Sequence, residues 1–290
     1  MPLNYEALMA HRFEPVTVAY TNRDTILYAL GVGVGQDDPL GSGTLKYTYE
    51  AGLAALPTMA SVLAGGDGGW MQEPENRITW HKVLHGEQRL TIHRPLPAQG
   101  TVRGAYAIDA IYDKGADKGA ILYMTNRLSD AATGEAIADV GMAAFLRADG
   151  GFGGSGEGAP KPYPVPADRP PDLTIDLPTR PDQALLYRLS GDYNPLHVDP
   201  AVAKSVGFER PILHGLCAYG VVGRAVLKLL CADDPARLRR LDVRFSSPLY
   251  PGETVRTEVW READGRAAFR ALAAERGVVI QNNGVVEYTA

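Results

Sequence analysis

The sequence predicts an α+β protein built from two copies of one plan, each an antiparallel sheet wrapped on a helix. Three observations carry this. The segment Pro95-Leu96-Pro97-Ala98-Gln99-Gly100-Thr101-Val102-Arg103 is echoed by Pro248-Leu249-Tyr250-Pro251-Gly252-Glu253-Thr254-Val255-Arg256 at a constant offset of 153 residues. Gly134 and Gly141 return as Gly277 and Gly284, and Ile26-Leu27-Tyr28-Ala29-Leu30 returns as Leu185-Leu186-Tyr187-Arg188-Leu189. Three echoes in the same order point to duplication with insertions and deletions between them. Second, neither copy alternates strand and helix as a doubly wound nucleotide-binding fold does. Third, a stretch from Ala148 to Pro171 opens with Gly150-Gly151-Phe152-Gly153-Gly154 and continues with Pro160, Pro162, Pro164, Pro166, Pro170 and Pro171. Glycine lends flexibility and proline stiffens an extended path, so this reads as a linker.

Each copy is expected to run from a short amphipathic helix through a loop to a longer apolar helix, then to about four strands. In the first copy the longer helix is expected around Pro57–Leu63. In the second it is expected over Leu213–Leu230, where apolar residues recur at helical spacing. Strands follow at Leu238–Ser247, Thr254–Arg261, Ala267–Ala274 and Val278–Thr289, with Gly, Pro and Asp-Gly at the joints. The expected division is residues 1–149, a Gly/Pro-rich linker over 150–171, and residues 172–290.

Composition narrows the function. Hydrophobic content of 45% and charged content of 22% are ordinary for a globular protein. A net charge of −5 with no basic stripe argues against nucleic acid as a partner. No apolar run approaches the ~20 residues of a membrane helix, and the first residues lack the basic and apolar regions of a signal peptide. The last residues, Glu287-Tyr288-Thr289-Ala290, are not a peroxisomal tripeptide. Two cysteines, Cys217 and Cys231, make a disulfide framework implausible. A reducing, cytoplasmic setting is expected.

The chemistry lies in Ser190-Gly191-Asp192-Tyr193-Asn194-Pro195-Leu196-His197-Val198-Asp199-Pro200. Pro195 removes a backbone donor and drives Asn194 out of the helical region, so the chain must turn between Asp192 and His197. A carboxylate and an imidazole can then converge on one water. Downstream, Pro211-Ile212-Leu213-His214-Gly215-Leu216 opens the long apolar helix, and the Gly215 amide there is a natural oxyanion donor. The first copy has Gly31-Val32-Gly33-Val34-Gly35-Gln36-Asp37-Asp38-Pro39 at the matching place and lacks the Asp/His pair. That glycine run has neither the spacing nor the context of a dinucleotide site. His197, Asp199 and His214 fit no metal-ligand spacing rule, and no metal is expected.

Asp-x-Asn-Pro-x-His followed by Pro-Ile-Leu-His-Gly-Leu resembles the signature of the R-specific enoyl-CoA hydratases, the MaoC-like or hydratase 2 family. The resemblance extends to the two-domain form found in peroxisomal multifunctional β-oxidation enzymes. It is carried by Tyr20-Thr21-Asn22-Arg23-Asp24, Tyr28-Ala29-Leu30-Gly31, Lys82-Val83-Leu84-His85-Gly86-Glu87-Gln88, Asp113-Lys114-Gly115, Gly150–Gly154, Tyr187–Asp192, Arg244-Phe245 and Tyr250-Pro251-Gly252. What it implies is a double hot-dog fold, two helix-in-sheet units forming a pseudo-dimer. The C-terminal unit would be catalytic, and the degenerate N-terminal unit would make room for the acyl chain. The implied reaction is reversible hydration of trans-2-enoyl-CoA to the (3R)-3-hydroxyacyl-CoA. Coenzyme A would be part of the substrate and no cofactor would be needed; a homodimer is expected. Tyr193 stands where an aromatic, often Trp, is usual, and the Gly41-Ser42-Gly43 loop is longer than usual.

Asp192 and His197 are thus the expected catalytic pair, with Gly215 and Asn194 as polar contacts to the thioester. His85, Gly86 and Lys114 match family positions that touch substrate, and Lys114 with Lys118 suits a phosphate of coenzyme A as a point charge. Phe245 would line the acyl or pantetheine path, although a strand phenylalanine is more often core. Glu50 and Tyr187 match functional family positions but serve equally well as packing residues. Asp199 before Pro200 reads best as a helix cap, with orientation of His197 secondary. Two other functions compete: a thioesterase, and a non-catalytic acyl-CoA-binding subunit. The complete Asp/His pair argues against both, because the site decides function more than the fold does.

Overall fold

A computed structural model describes residues 2–66 and 68–289. The expected limits at Met1 and Ala290 lie outside the described residues. Among the described residues ten strands form one sheet in which all neighbours are antiparallel. The first five are β1 (Val16–Tyr20), β2 (Val83–Ile92), β3 (Gly100–Asp113), β4 (Ala120–Asp130) and β5 (Ala136–Leu146). The second five are β6 (Leu173–Pro178), β7 (Leu238–Phe245), β8 (Thr254–Ala263), β9 (Arg266–Ala273) and β10 (Val278–Tyr288). The order across the sheet is β1-β3-β4-β5-β2-β7-β10-β9-β8-β6. Adding five to each strand of the first half and reversing the order reproduces the second. The duplication in the sequence is therefore a pseudo-twofold in the sheet, with β2 and β7 paired on either side of the axis from Glu87↔Arg244 to Thr91↔Arg240.

The helices are α1 (Tyr5–Ala10), α2 (Asn22–Gly31), α3 (Ser42–Thr48), α4 (Gln183–Tyr187), α5 (Pro200–Ser205) and α6 (Gly215–Leu230). α6 is apolar nearly all round and buried along most of its length, as a helix enclosed by a sheet must be. Its partner in the first half is not a helix of the same kind. Pro57–Val62 forms only a short 3₁₀ turn, which corrects the expectation of a longer apolar helix at Pro57–Leu63. Leu63 already has an extended backbone, and Ala64 and the Gly65-Gly66 pair follow, so the apolar run is too short to sustain further turns. The turn packs with Leu90, Ile92, Leu128 and Ile137 in the main core, while α1 and residues around Trp70 and Ile78 cover another part of the first half in a separate cluster with Leu122, Met124 and Leu146.

Two glycines let α6 meet the first half closely. A Cβ on Gly220 would collide with Val32, and one on Gly223 would lie 2.6 Å from Thr58 Cγ2. Arg224, one residue on, donates to the Val32 carbonyl at 3.0 Å and to Asp37 Oδ1 at 3.4 Å.

No helix or strand lies between β5 and β6, so the Gly/Pro-rich stretch crosses from one half to the other as irregular chain. Its glycines are not loose, however. The Asp113 carboxylate accepts from the amides of Gly115, Gly151 and Gly153 at 2.9, 2.7 and 2.9 Å. A Cβ on Gly150 would strike the carbonyls of Gly115 and Gly119. Close approach, rather than flexibility, requires glycine here.

Candidate active site

The site starts at the end of α4. A 3₁₀ turn over Arg188–Ser190 ends at Gly191, whose φ of +118° is open to glycine and strained for other residues. Asp192 follows, and its Oδ1 accepts from the Asn194 amide at 3.1 Å. Asn194 Oδ1 in turn accepts from the Leu196 amide at 3.0 Å, capping the short turn Pro195–His197. These two side-chain turns fold the segment back on itself, as the proline demanded.

His197 is buried at 9% exposure, and its Nδ1 lies 2.8 Å from the Ile212 carbonyl. A carbonyl oxygen only accepts, so Nδ1 carries the proton and Nε2 is left with a lone pair. Burial lowers the pKa of this imidazole below the ordinary value, while the Ile212 bond and the Asp192 charge pull the other way. Nitrogen and carboxylate atoms of His197, Asp192 and His214 lie within 4.8 Å of one another. A water making two hydrogen bonds of ~2.8 Å at a tetrahedral angle spans ~4.6 Å, so groups no farther apart than 4.8 Å are within reach of one shared water.

His214, the residue before α6, carries no role in the sequence beyond its place in the Pro-Ile-Leu-His-Gly-Leu signature and a metal-ligand reading that its spacing does not support. Its ring stacks on His197 with centroids 3.8 Å apart and planes 28° off parallel. Its Nε2 is 3.1 Å from the backbone carbonyl of Asp192, which makes Nε2 the protonated nitrogen. Burial first, then the neighbouring His197, push its pKa down to about 4.

The other expected residues divide into two groups. Gly215 opens α6, so its amide is one of the four first-turn donors without an intrahelical partner. A Cβ there would sit 3.4 Å from the Phe245 ring. Phe245 also takes the His85 ring edge-on, with centroids 4.9 Å apart. His85 is within electrostatic reach of Asp192, and desolvation lowers its pKa to about 4. Its Nε2 lies 3.1 Å from the Glu87 carbonyl. Gly86 is the extra residue of a β-bulge against β5. Gly215, Phe245 and His85 therefore gather at the tip of α6, with two elements of the second half facing one of the first.

The remaining residues sit elsewhere or do structural work. Lys114 lies on the β3–β4 hairpin and donates to the Gly156 carbonyl at 3.3 Å. With Lys118, Ile121, Phe145 and Arg147 it borders an open cavity of about 500 Å³. Asp199 caps α5, accepting from the Ala201 amide at 2.7 Å. Tyr187 is 1% exposed, its ring against His214 at 5.0 Å, and its hydroxyl has no hydrogen-bond partner. Glu50 is exposed on the turn after α3 and is not among the groups converging with Asp192.

A larger cavity of about 520 Å³ lies where α2, α3 and α4 meet, lined by Leu30, Val34, Pro39, Leu185, Leu186 and Leu189 among others. It holds neither Asp192 nor His197 but reaches Leu189, close before the site in the chain.

A sheet of two five-stranded halves, one wrapped on α6 and carrying an Asp/His pair at that helix tip, defines a double hot-dog protein of the dehydratase type. Residues 164–283 match the MaoC like domain, and residues 18–148 match the MFE-2 hydratase 2 N-terminal domain. The chain is 41% identical to 3-hydroxyacyl-thioester dehydratase Y of Mycobacterium tuberculosis, covering 96% of both chains. It is 36% identical to probable enoyl-CoA hydratase 2 of Dictyostelium discoideum, covering 98% of this chain and 96% of that one. The solved MaoC-like dehydratase from Phytophthora capsici superposes with a TM-score of 0.86 at 37% identity, covering 98% of both chains. The chain belongs to the two-domain MaoC-like, hydratase 2 family. No helix among the described residues is long and apolar enough to cross a membrane.

Proposed function

We propose that this protein is an enzyme that reversibly hydrates trans-2-enoyl-CoA to 3-hydroxyacyl-CoA in β-oxidation or related acyl-CoA metabolism. The observation that carries the reading is an Asp192 carboxylate oxygen within 4.8 Å of a His197 ring nitrogen, on an imidazole whose Nδ1 is engaged by the Ile212 carbonyl. The relatives bear matching names, enoyl-CoA hydratase for one and hydroxyacyl-thioester dehydratase, the reverse direction, for another. One water is held by both side chains; its oxygen adds to C3 and a proton reaches C2, so the pair ends with the charge it began with. The two groups share that proton as a coupled unit. Proton transfer of this kind is typically worth ~10²–10⁴ in rate. The Gly215 amide steadies the thioester oxygen as it takes on enolate charge, a donor worth ~10²–10³ in turnover elsewhere.

The (3R) configuration is part of the same proposal, as family membership implies it. So is a division of labour in which residues 172–290 carry the chemistry and residues 1–149 shelter the acyl chain. Leu30, Val34 and Pro39, which the first half contributes to the α2–α3–α4 cavity beside Leu185, Leu186 and Leu189 of the second, support that second role. No cofactor or metal enters the reaction. Cytoplasmic residence accords with two buried free cysteines. A homodimer is an expectation for sedimentation to measure.

The deciding assay follows enoyl absorbance and free thiol together on a medium-chain trans-2-enoyl-CoA. Loss of the conjugated signal without thiol is the expected result. Thiol release would make the protein a thioesterase, and no change in either would leave a binding subunit.

A further inference from the structure

We infer that His214 is a positioning residue that sets both members of the Asp192/His197 pair, clamping the backbone of one and backing the ring of the other. The inference rests on the hydration reading above and deepens it.

Three observations on one ring carry it. The Nε2 proton of His214 is given to the Asp192 carbonyl at 3.1 Å, across 22 residues of chain. That bond fixes the backbone from which the carboxylate projects, and Asp192 is otherwise on an exposed loop. The face of the same ring lies on His197 at 3.8 Å, opposing rotation of the base about its side-chain bonds. The Tyr187 ring contacts it as well, at 5.0 Å. His214 thus meets the rings of both Tyr187 and His197, and it leads directly into the Gly215 amide at the helix tip. One side chain ties together the carboxylate, the base and the oxyanion donor.

The third observation is what His214 leaves undone. Its Nδ1 is buried without a hydrogen-bond partner, in a ring only 1% exposed. A proton on Nδ1 would be a buried, unpaired donor beside His197, so the ring is held neutral and does not compete for the water's proton. The groups around it are Asp192, His197, Arg188 and Tyr187; the Asp192 charge and the bond to its carbonyl favour a protonated His214, and burial with His197 and Arg188 outweighs them. A group that neither titrates in the working range nor faces bulk solvent is suited to hold geometry rather than to exchange protons.

Two substitutions separate positioning from packing. His214→Phe keeps an aromatic plate on His197 and loses the donor. His214→Gln keeps a donor of similar reach and loses the plate. Misplacement of a reacting group by ~1 Å costs on the order of 10²-fold. The expected result is a kcat reduced by about that factor in His214→Phe, with KM for the enoyl-CoA within a few-fold of the parent. His214→Gln should regain part of the loss. In parallel, ring-nitrogen NMR of the unsubstituted protein should find His214 neutral with its proton on Nε2, and His197 with its proton on Nδ1.

A parent-like kcat in folded His214→Phe overturns the inference. So does a kcat that falls only in step with the thermal midpoint and equally in both variants, which would make His214 a packing residue. A His214 that is charged, or protonated on Nδ1, at neutral pH also overturns it. If the unsubstituted protein does not hydrate enoyl-CoA, the hydration reading fails, and the ring signals alone still judge the clamp.

Discussion

At the scale of single residues, the arrangement turns on which nitrogen of His197 is free. The Ile212 carbonyl decides this, because it can only accept a hydrogen bond. Asp192→Asn and His197→Ala should each lower hydration by ~10²–10⁴ while far-UV dichroism and the thermal midpoint stay near the parent. Activity near that of the parent in either variant would remove that residue from the chemistry. Acid sensitivity belongs at this scale too. His85 and His214 are held at about 4 in the fold, against ~6.5 for free imidazole. Between those values the unfolded chain binds protons that the folded chain refuses, so these rings' stabilisation is whole above pH ~6.5 and is lost on descending toward 4. Urea midpoints at pH 7 and pH 5 should differ accordingly, with the lower at pH 5; equal midpoints would contradict the placement of these rings. Asp192, Asn194 and His197 were legible in the sequence, because proline forces the turn locally. His214 stood in the same motif but carried no local sign of its role, which comes from a carbonyl 22 residues away.

Among the elements, α6 shows how one helix serves both halves. A glycine inside a helix costs roughly 0.5–1 kcal/mol relative to alanine. At Gly220 and Gly223 that cost accompanies close contact with Val32 and Thr58, contact that a methyl group would prevent. Gly223→Ala should destabilise the protein by about 1–3 kcal/mol through overpacking, read from the urea midpoint. A neutral or stabilising result would mean that the first half moves aside freely. Arg224→Met should cost a similar ~1–3 kcal/mol, because the Val32 carbonyl is left buried without its donor. The strands of the second half and the extent of α6 were readable from periodicity and turn residues to within two residues or so. Helix formation at Pro57–Leu63 was not, since a short apolar run with a proline suits a 3₁₀ turn as well as a helix.

For the whole molecule, the halves depend on each other through the β2–β7 seam and the buried contacts of α6 with Val32 and Thr58. A fragment beginning at Pro170 would bare the full edge of β7 and one side of α6 to water. It should be inactive and insoluble or aggregated, as size-exclusion chromatography and the enoyl assay would report. A soluble, active fragment would contradict this dependence.

The duplication, the apolar helix, the hairpin strands and the Asp-x-Asn-Pro-x-His turn were all determined by the sequence alone. Each rests on forces acting within a few residues, such as proline geometry, glycine turns and apolar periodicity. Tertiary structure decided the rest. It joined the two half-sheets into one, replaced the first helix by a 3₁₀ turn, turned a glycine run into a cradle for Asp113, and laid His214 over His197. Those outcomes depend on which backbone carbonyls and rings meet across long separations in the chain, and packing alone brings them together.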